Sequence, residues 1–211
     1  MTIQLKDLGM QDYVETYAAM RKFNEQRLAS TVDQIWLLEH PPVYTLGLSG
    51  KEEHLLNTKQ IPVIKTDRGG QVTYHGPGQL IAYLLIDLNK RPYRIKKLVS
   101  LIEQSIINYL QDYDLVAERK VNAPGVYING EKIAALGVRV RKGGTYHGLA
   151  INIDMDLEPF NGINPCGYAG MKCTQISNYV DNITLQDVKK NLPGYLLKYL
   201  DQSPEKFSDV A

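Results

Sequence analysis

Arg68-Gly-Gly-Gln-Val-Thr-Tyr-His-Gly-Pro-Gly-Gln79 is the stretch on which the reading of this chain turns. Gly69, Gly70, Gly76 and Gly78 let backbone N–H groups face a ligand with no Cβ in the way. Arg68, Thr73 and His75 add polar side chains. The flanks on both sides read as strands. Pro62 to Thr66 leads in, and Gln79 to Asp87 leaves as an apolar run suited to a central strand. A loop held this way is positioned and not a linker.

Working outward, Gln34 to His40 reads as a buried strand and Val43 to Leu46 as another. Pro41-Pro42 between them fits a bend or an edge, not a central ladder. His40 beside these prolines is read as structural. Residues 10–28 are expected to form a helix through Tyr13, Tyr17 and Met20, and 49–60 a polar loop with one helical turn. Downstream, Ile95, Leu98, Val99, Ile102, Ile106, Tyr109 and Leu110 keep helical spacing, predicting a helix over 94–112. A β-rich block follows, with strands at 115–118, 125–128, 132–141 and 145–154. Asn129-Gly130 marks a tight hairpin, and Lys142-Gly143-Gly144 a second turn. Residues 155–180 are irregular. A last helix runs over 184–200, started by Thr184 and Asp187 and broken or bent at Pro193-Gly194. The order predicts an α+β fold, a mixed and largely antiparallel sheet packed with helices. The expectation is one domain over 1–211, with its core at about 28–205.

With 24 basic and 23 acidic residues the formal charge is +1, giving no electrostatic reason to expect nucleic acid or an anionic membrane as partner. No run of about 18 apolar residues suggests a membrane span. The N-terminal residues resemble neither a secretory nor an import signal. Cys166 and Cys173 make no disulfide framework, so a reducing cytoplasm is the expected compartment. Two cysteines and four scattered histidines offer no metal-ligand cluster.

Chemistry is sought at Lys132 and Cys166. On a regular strand Lys132 shares its face with Ala134, Leu136, Val138 and Val140, an unusual place for an ammonium. A bulge would undo that parity, and a strand-end lysine can also reach water. Cys166 sits in Asn164-Pro-Cys-Gly167, a turn that presents the thiol; Cys173 is read as structural. A lysine ammonium near a thiol favours the thiolate and can relay its proton. His75 and His147 are weaker candidate bases. His147 shares strand parity with Leu149 and Ile151 and is read as a core or wall residue. The residues alone suggest acyl transfer, without showing that the three places meet.

Four segments in register carry a resemblance: 68–79, Glu131-Lys-Ile-Ala-Ala-Leu-Gly-Val-Arg139, His147-Gly-Leu-Ala-Ile-Asn-Ile-Asp154 and Asn164-Pro-Cys-Gly167. Together they resemble the lipoyl(octanoyl)transferases of the biotin/lipoate protein ligase superfamily, from about residue 5 to about 200. The resemblance implies the ligase catalytic fold and a catalytic dyad of Cys166 and Lys132. It implies substrate contacts at Arg68, Gly69, Gly70, Gln71, Val72, Thr73, Tyr74 and His75, at Ala135, Leu136 and Gly137, and at Gly148, Leu149 and Ala150. The implied donor is octanoyl-acyl carrier protein. The implied acceptors are apo-lipoyl domains of 2-oxoacid dehydrogenase E2 subunits and the glycine cleavage H protein. An activated thioester donor requires neither ATP nor a metal, so no cofactor is expected. Arg139, Arg141 and Lys142 could steer an acidic carrier. The rival readings are an ATP-dependent lipoate or biotin ligase, which needs no cysteine at 166, a cysteine hydrolase, and a silent acyl-protein-binding module.

Overall fold

The computed structural model describes residues 2–201, and residues 202–205 of the expected core lie outside the described residues. Among the described residues there are nine strands. These are β1 (Ile3–Met10), β2 (Asp33–Glu39), β3 (Val43–Leu46), β4 (Val63–Lys65), β5 (Val72–His75), β6 (Gln79–Leu85), β7 (Gly125–Ile128), β8 (Glu131–Arg141) and β9 (Gly144–Asn152). The helices are α1 (Tyr13–Glu25), α2 (Ile95–Gln111) and α3 (Leu185–Leu200). The fold is α+β, as expected, but the strands divide into two sheets. The larger has the order β1-β2-β6-β9-β8-β7, and the smaller β4-β3-β5. Pairing is antiparallel except for β1 with β2 and β3 with β4. Pro41 and Pro42 lie between β2 of one sheet and β3 of the other, where neither ladder needs an N–H.

The large sheet buries one face against α2 and α3 through Leu80, Ala82, Leu84, Leu98, Ile102, Leu192 and Leu196. Trp36, Leu38, Ile81 and Tyr83 on the other face pack with Met20 of α1. The small sheet has its own cluster of Tyr44, Leu46, Val72, Tyr74 and Phe160. Among the described residues no helix is long and apolar enough to cross a membrane.

Several local expectations are corrected. The 68–79 segment is not one loop, because Val72–His75 pairs with β3 as a strand. Residues 115–118 reduce to a single bridge from Glu118 to Tyr127. The second hairpin turn is Lys142-Gly143, both at positive φ, and Gly144 already belongs to β9. Helix α3 runs unbroken through Pro193, which is buried. That burial outweighs one lost backbone hydrogen bond. Thr184 and Asp187 form a capping box at its start.

Candidate functional site

Lys132 reaches the site because its strand is irregular. Tyr127 of β7 pairs with Lys132, but its neighbour Val126 pairs with Ala134, so Ile133 has no opposite residue. This bulge puts Lys132 on the face away from Ala134 and corrects the regular-strand parity. Lys132 is 3% exposed. Its Nζ donates to the Cys166 Sγ at 3.0 Å and to the Pro124 carbonyl at 3.0 Å, and lies 5.0 Å from the centre of the Tyr127 ring. Burial opposes its charge, but the Cys166 sulfur and the Tyr127 hydroxyl outweigh it and raise its pKa above that of an ordinary lysine.

Cys166 is half-buried on the short 3-10 turn Pro165–Gly167, at φ 56° and ψ 16°. That left-handed conformation is uncommon away from glycine and turns the thiol toward Lys132. The turn is anchored by the Asn164 N–H, which donates to the His54 carbonyl at 2.9 Å. The other side of the lysine is fixed from α2. Glu103 is buried, accepts from the Gly125 N–H at 3.0 Å, and pairs with Arg119 at 3.2 Å. It thereby holds the Pro124-Gly125 backbone that faces Lys132. Cys173 also adjoins Lys132 through a parallel bridge, and burial pushes its thiol up to about 12.

From Cys166 a narrow cleft runs between the two sheets. Arg68, Gly70, Gln71, Val72, Thr73 and His75 line its small-sheet side, and Ala135, Leu136, Gly137, Gly148, Leu149 and Ala150 its large-sheet side. Two of the fourteen residues singled out in sequence stand apart. Tyr74 points into the small-sheet cluster against Phe160, and Gly69 does not line this cleft. Close packing sets the cleft's shape. A Cβ on Gly148 would lie 2.0 Å from the Ala82 carbonyl oxygen, and one on Gly137 2.9 Å from that of Gly69.

Tyr13, Ile81 and Tyr83 complete the cleft wall and were not among the expected contacts; His147, read in sequence as a core or wall residue, lines it too. His147 has φ 60°, which breaks the β9 alternation. Its ring therefore leaves the Leu149 and Ile151 face, stacks on Tyr17, and places Nε2 3.2 Å from Asp67. Burial opposes the Asp67 charge, yet hydrogen bonds with His147, Tyr146 and Tyr17 hold its carboxyl well below the usual range. His40 bridges the Gln11 carbonyl at 2.6 Å and the Tyr83 hydroxyl at 2.7 Å, so it positions a wall residue.

Arg68 is buried, and burial lowers its pKa. It donates to the Thr45 hydroxyl and carbonyl and to the Gly69 carbonyl, with no carboxylate ion pair among the described residues. Thr45 leads at 3.4 Å to His75, whose Nδ1 meets Gln79 Oε1 at 2.7 Å. Gln79 belongs to the large sheet, so this bond crosses between the sheets, and the Gln79 amide donates at 2.9 Å to Asn152 on the neighbouring strand. Burial, then His40, push His75 down to about 3, so it stands neutral. Among the described residues no group of three or more His, Cys, Asp or Glu is arranged to hold a metal ion.

Two mixed sheets around a cleft, closed at one end by a thiol–lysine pair, define a protein of the lipoate and biotin ligase fold. The lipoate protein ligase of the bi-partite Thermoplasma acidophilum system has TM-score 0.75 at 15% identity, covering 95% of this chain and 84% of that one. The biotin protein ligase of Aquifex aeolicus gives 0.59 at 11% identity, covering 96% and 72%. The lipoyl protein ligase A/B catalytic domain family matches residues 12–196. The octanoyltransferase of Pseudomonas entomophila (strain L48) is 52% identical over 201 residues, 95% of this chain and 94% of that one. The chain belongs to the lipoyl protein ligase A/B catalytic domain family, and within it to the octanoyltransferases.

Proposed function

We propose that this protein moves an octanoyl group from octanoyl-acyl carrier protein to a lysine of apo-lipoyl domains, through a thioester on Cys166. The observation that carries the reading is the 3.0 Å contact between Lys132 Nζ and Cys166 Sγ at the end of the inter-sheet cleft. The 52% identity to an octanoyltransferase supports the choice of acyl group. Cys166 attacks the thioester carbon, the carbon–sulfur bond to the carrier breaks, and Lys132 passes the thiol's proton to the leaving sulfur. The acyl chain lies between Gly70 to Thr73 and Ala135 to Ala150, where small residues leave room for it. The acceptor amine then attacks the acyl-enzyme, an amide forms, and a proton returns to Cys166. Lipoyl domains of 2-oxoacid dehydrogenase E2 subunits and the glycine cleavage H protein are the proposed acceptors, and the cytoplasm the proposed compartment.

Intact mass after incubation with octanoyl-acyl carrier protein, without ATP, tests this. The expected result is one added octanoyl group, absent in Cys166→Ala, that passes to an apo-lipoyl domain. No adduct, with ATP-dependent attachment of free octanoate instead, would identify a ligase. Release of free octanoate with no transfer would identify a hydrolase.

A further inference from the structure

Cys166 lines not one cleft but two. The second, about 870 Å³ to its open mouth, shares Gly70, Gln71, Leu136, Gly137 and Cys166 with the first, then diverges toward Val99 of α2 and the Pro124 segment. Its back is a sheet edge. Pairing of β7 with β8 stops at Ala135, whereas β8 continues to Arg141 with β9 on its other side. The Lys142-Gly143 turn makes Arg141 and Gly144 the closing pair, so hydrogen-bonded pairing with β9 recurs at Arg139 and Gly137. The peptide groups of Leu136 and Val138 therefore face the other way, along the free edge. Consistent with this, the Val138 carbonyl oxygen lies toward Gly69. The cleft thus joins an apolar lining to extended, outward-facing peptide groups beside a nucleophile.

A thioester attacked by Sγ has two substituents on its carbonyl carbon, and tetrahedral geometry sends them apart. The cleft between the sheets suits the acyl chain. The leaving thiol needs a second route from the same sulfur, and the second cleft offers one. An arm bearing secondary amides can pair with a strand edge as an added strand does. Resting on the transferase reading above, we propose that the second cleft binds the pantetheine-type arm of the thioester donor along the Leu136–Val138 edge. The acceptor lysine enters by the same path after the arm's thiol has left. In the first step Sγ–C forms, the arm's C–S bond breaks, and the Cys166 proton ends on the arm's thiol. In the second, N–C forms, Sγ–C breaks, and one amine proton returns to the sulfur. The two carriers therefore exclude each other.

The test compares two donors on Val99→Trp, a residue of the second cleft only. Octanoyl-pantetheine carries the arm, and thiophenyl octanoate lacks it. The ratio of their Cys166 acylation rates, pantetheine over thiophenyl, should fall at least tenfold relative to the unsubstituted protein. An unchanged ratio, from equal falls or from none, overturns the proposal. As a measurement independent of turnover, Val99→Cys should be alkylated more slowly in the presence of millimolar pantetheine, and unaltered labelling also overturns it. If neither donor acylates the unsubstituted protein, it is the transferase reading that fails.

Discussion

Lys132 and Ala134 stand two residues apart on one strand yet lie on opposite faces of the sheet, because Ile133 between them has no partner on β7. The bulge turns an ammonium that regular alternation would bury among Ala134, Leu136 and Val138 toward the Cys166 sulfur.

Lys132→Met keeps the apolar stem and removes the charge. Loss of the ammonium that donates to its sulfur should slow Cys166 alkylation by iodoacetamide at pH 7 by about tenfold or more. The fold should persist, since a well-packed apolar residue can replace a buried charge. Equal alkylation rates in the two proteins would remove Lys132 from the proposed chemistry.

Ala135 lines the inter-sheet cleft and pairs with Ala150 across the strands. Ala135→Leu adds three carbons to that space. With each buried methylene worth about 0.8 kcal/mol, the preference for octanoyl over hexanoyl thioesters should drop by about tenfold or more. Parallel acylation rates measured with thioesters of four to ten carbons read this directly. An unaltered length profile would place the acyl chain elsewhere.

His40, His75 and His147 are all pushed below the ordinary histidine range, chiefly by burial, His75 to about 3. Unfolding restores an ordinary pKa near 6.5, so the unfolded chain binds more protons below that pH. Their contribution is fully present above about pH 6.5 and is lost as pH falls through each lowered folded-state pKa, for His75 toward about 3. For His75 this costs up to about 1.4 kcal/mol per pH unit between those limits. Urea unfolding of His75→Gln between pH 6 and pH 4 should show a shallower pH slope than the parent. The same slope would mean that His75 titrates normally in the folded protein.

Gly148→Ala would press a methyl group to 2.0 Å from the Ala82 carbonyl, at the heart of the large sheet. A loss of about 3 kcal/mol is expected, lowering Tm by about 6–12 °C. Gly194 in α3 has open space around its Cβ position, and Gly194→Ala should hold or slightly raise Tm. Similar melting shifts for the two variants would contradict the packing described for Gly148.

Much of this was legible in sequence because it is local. The α2 periodicity, the Asn129-Gly130 turn and the Thr184–Asp187 start are each written within a few residues. Strand β1 escaped notice because it is an edge strand with a mostly exposed, poorly alternating pattern. The break or bend expected at Pro193 weighed its missing N–H and not its burial in the folded chain, and α3 continues through it. His147 and Lys132 were assigned to the wrong face for one reason. Parity presumes a regular strand, and a positive φ or a bulge each shifts it by one. The closeness of Cys166 to Lys132, 34 positions apart, followed from chemistry and family resemblance, never from spacing. Glu103 and His54 act through backbone carbonyls and amides, and a sequence carries no mark of that.

The cleft between the sheets is a seam in the interior more than a pit in the surface. The small sheet lines one side, the large sheet the other, and the polar relay from Arg68 through Thr45 and His75 to Gln79 is a stitch across it. An octanoyl chain laid there would touch both sides at once and complete the packing. On the proposed chemistry, the acylated intermediate is then more tightly folded than the enzyme before or after it. For the lifetime of its thioester, the cargo serves as part of the hydrophobic core, and unloading it loosens the protein as well as emptying it.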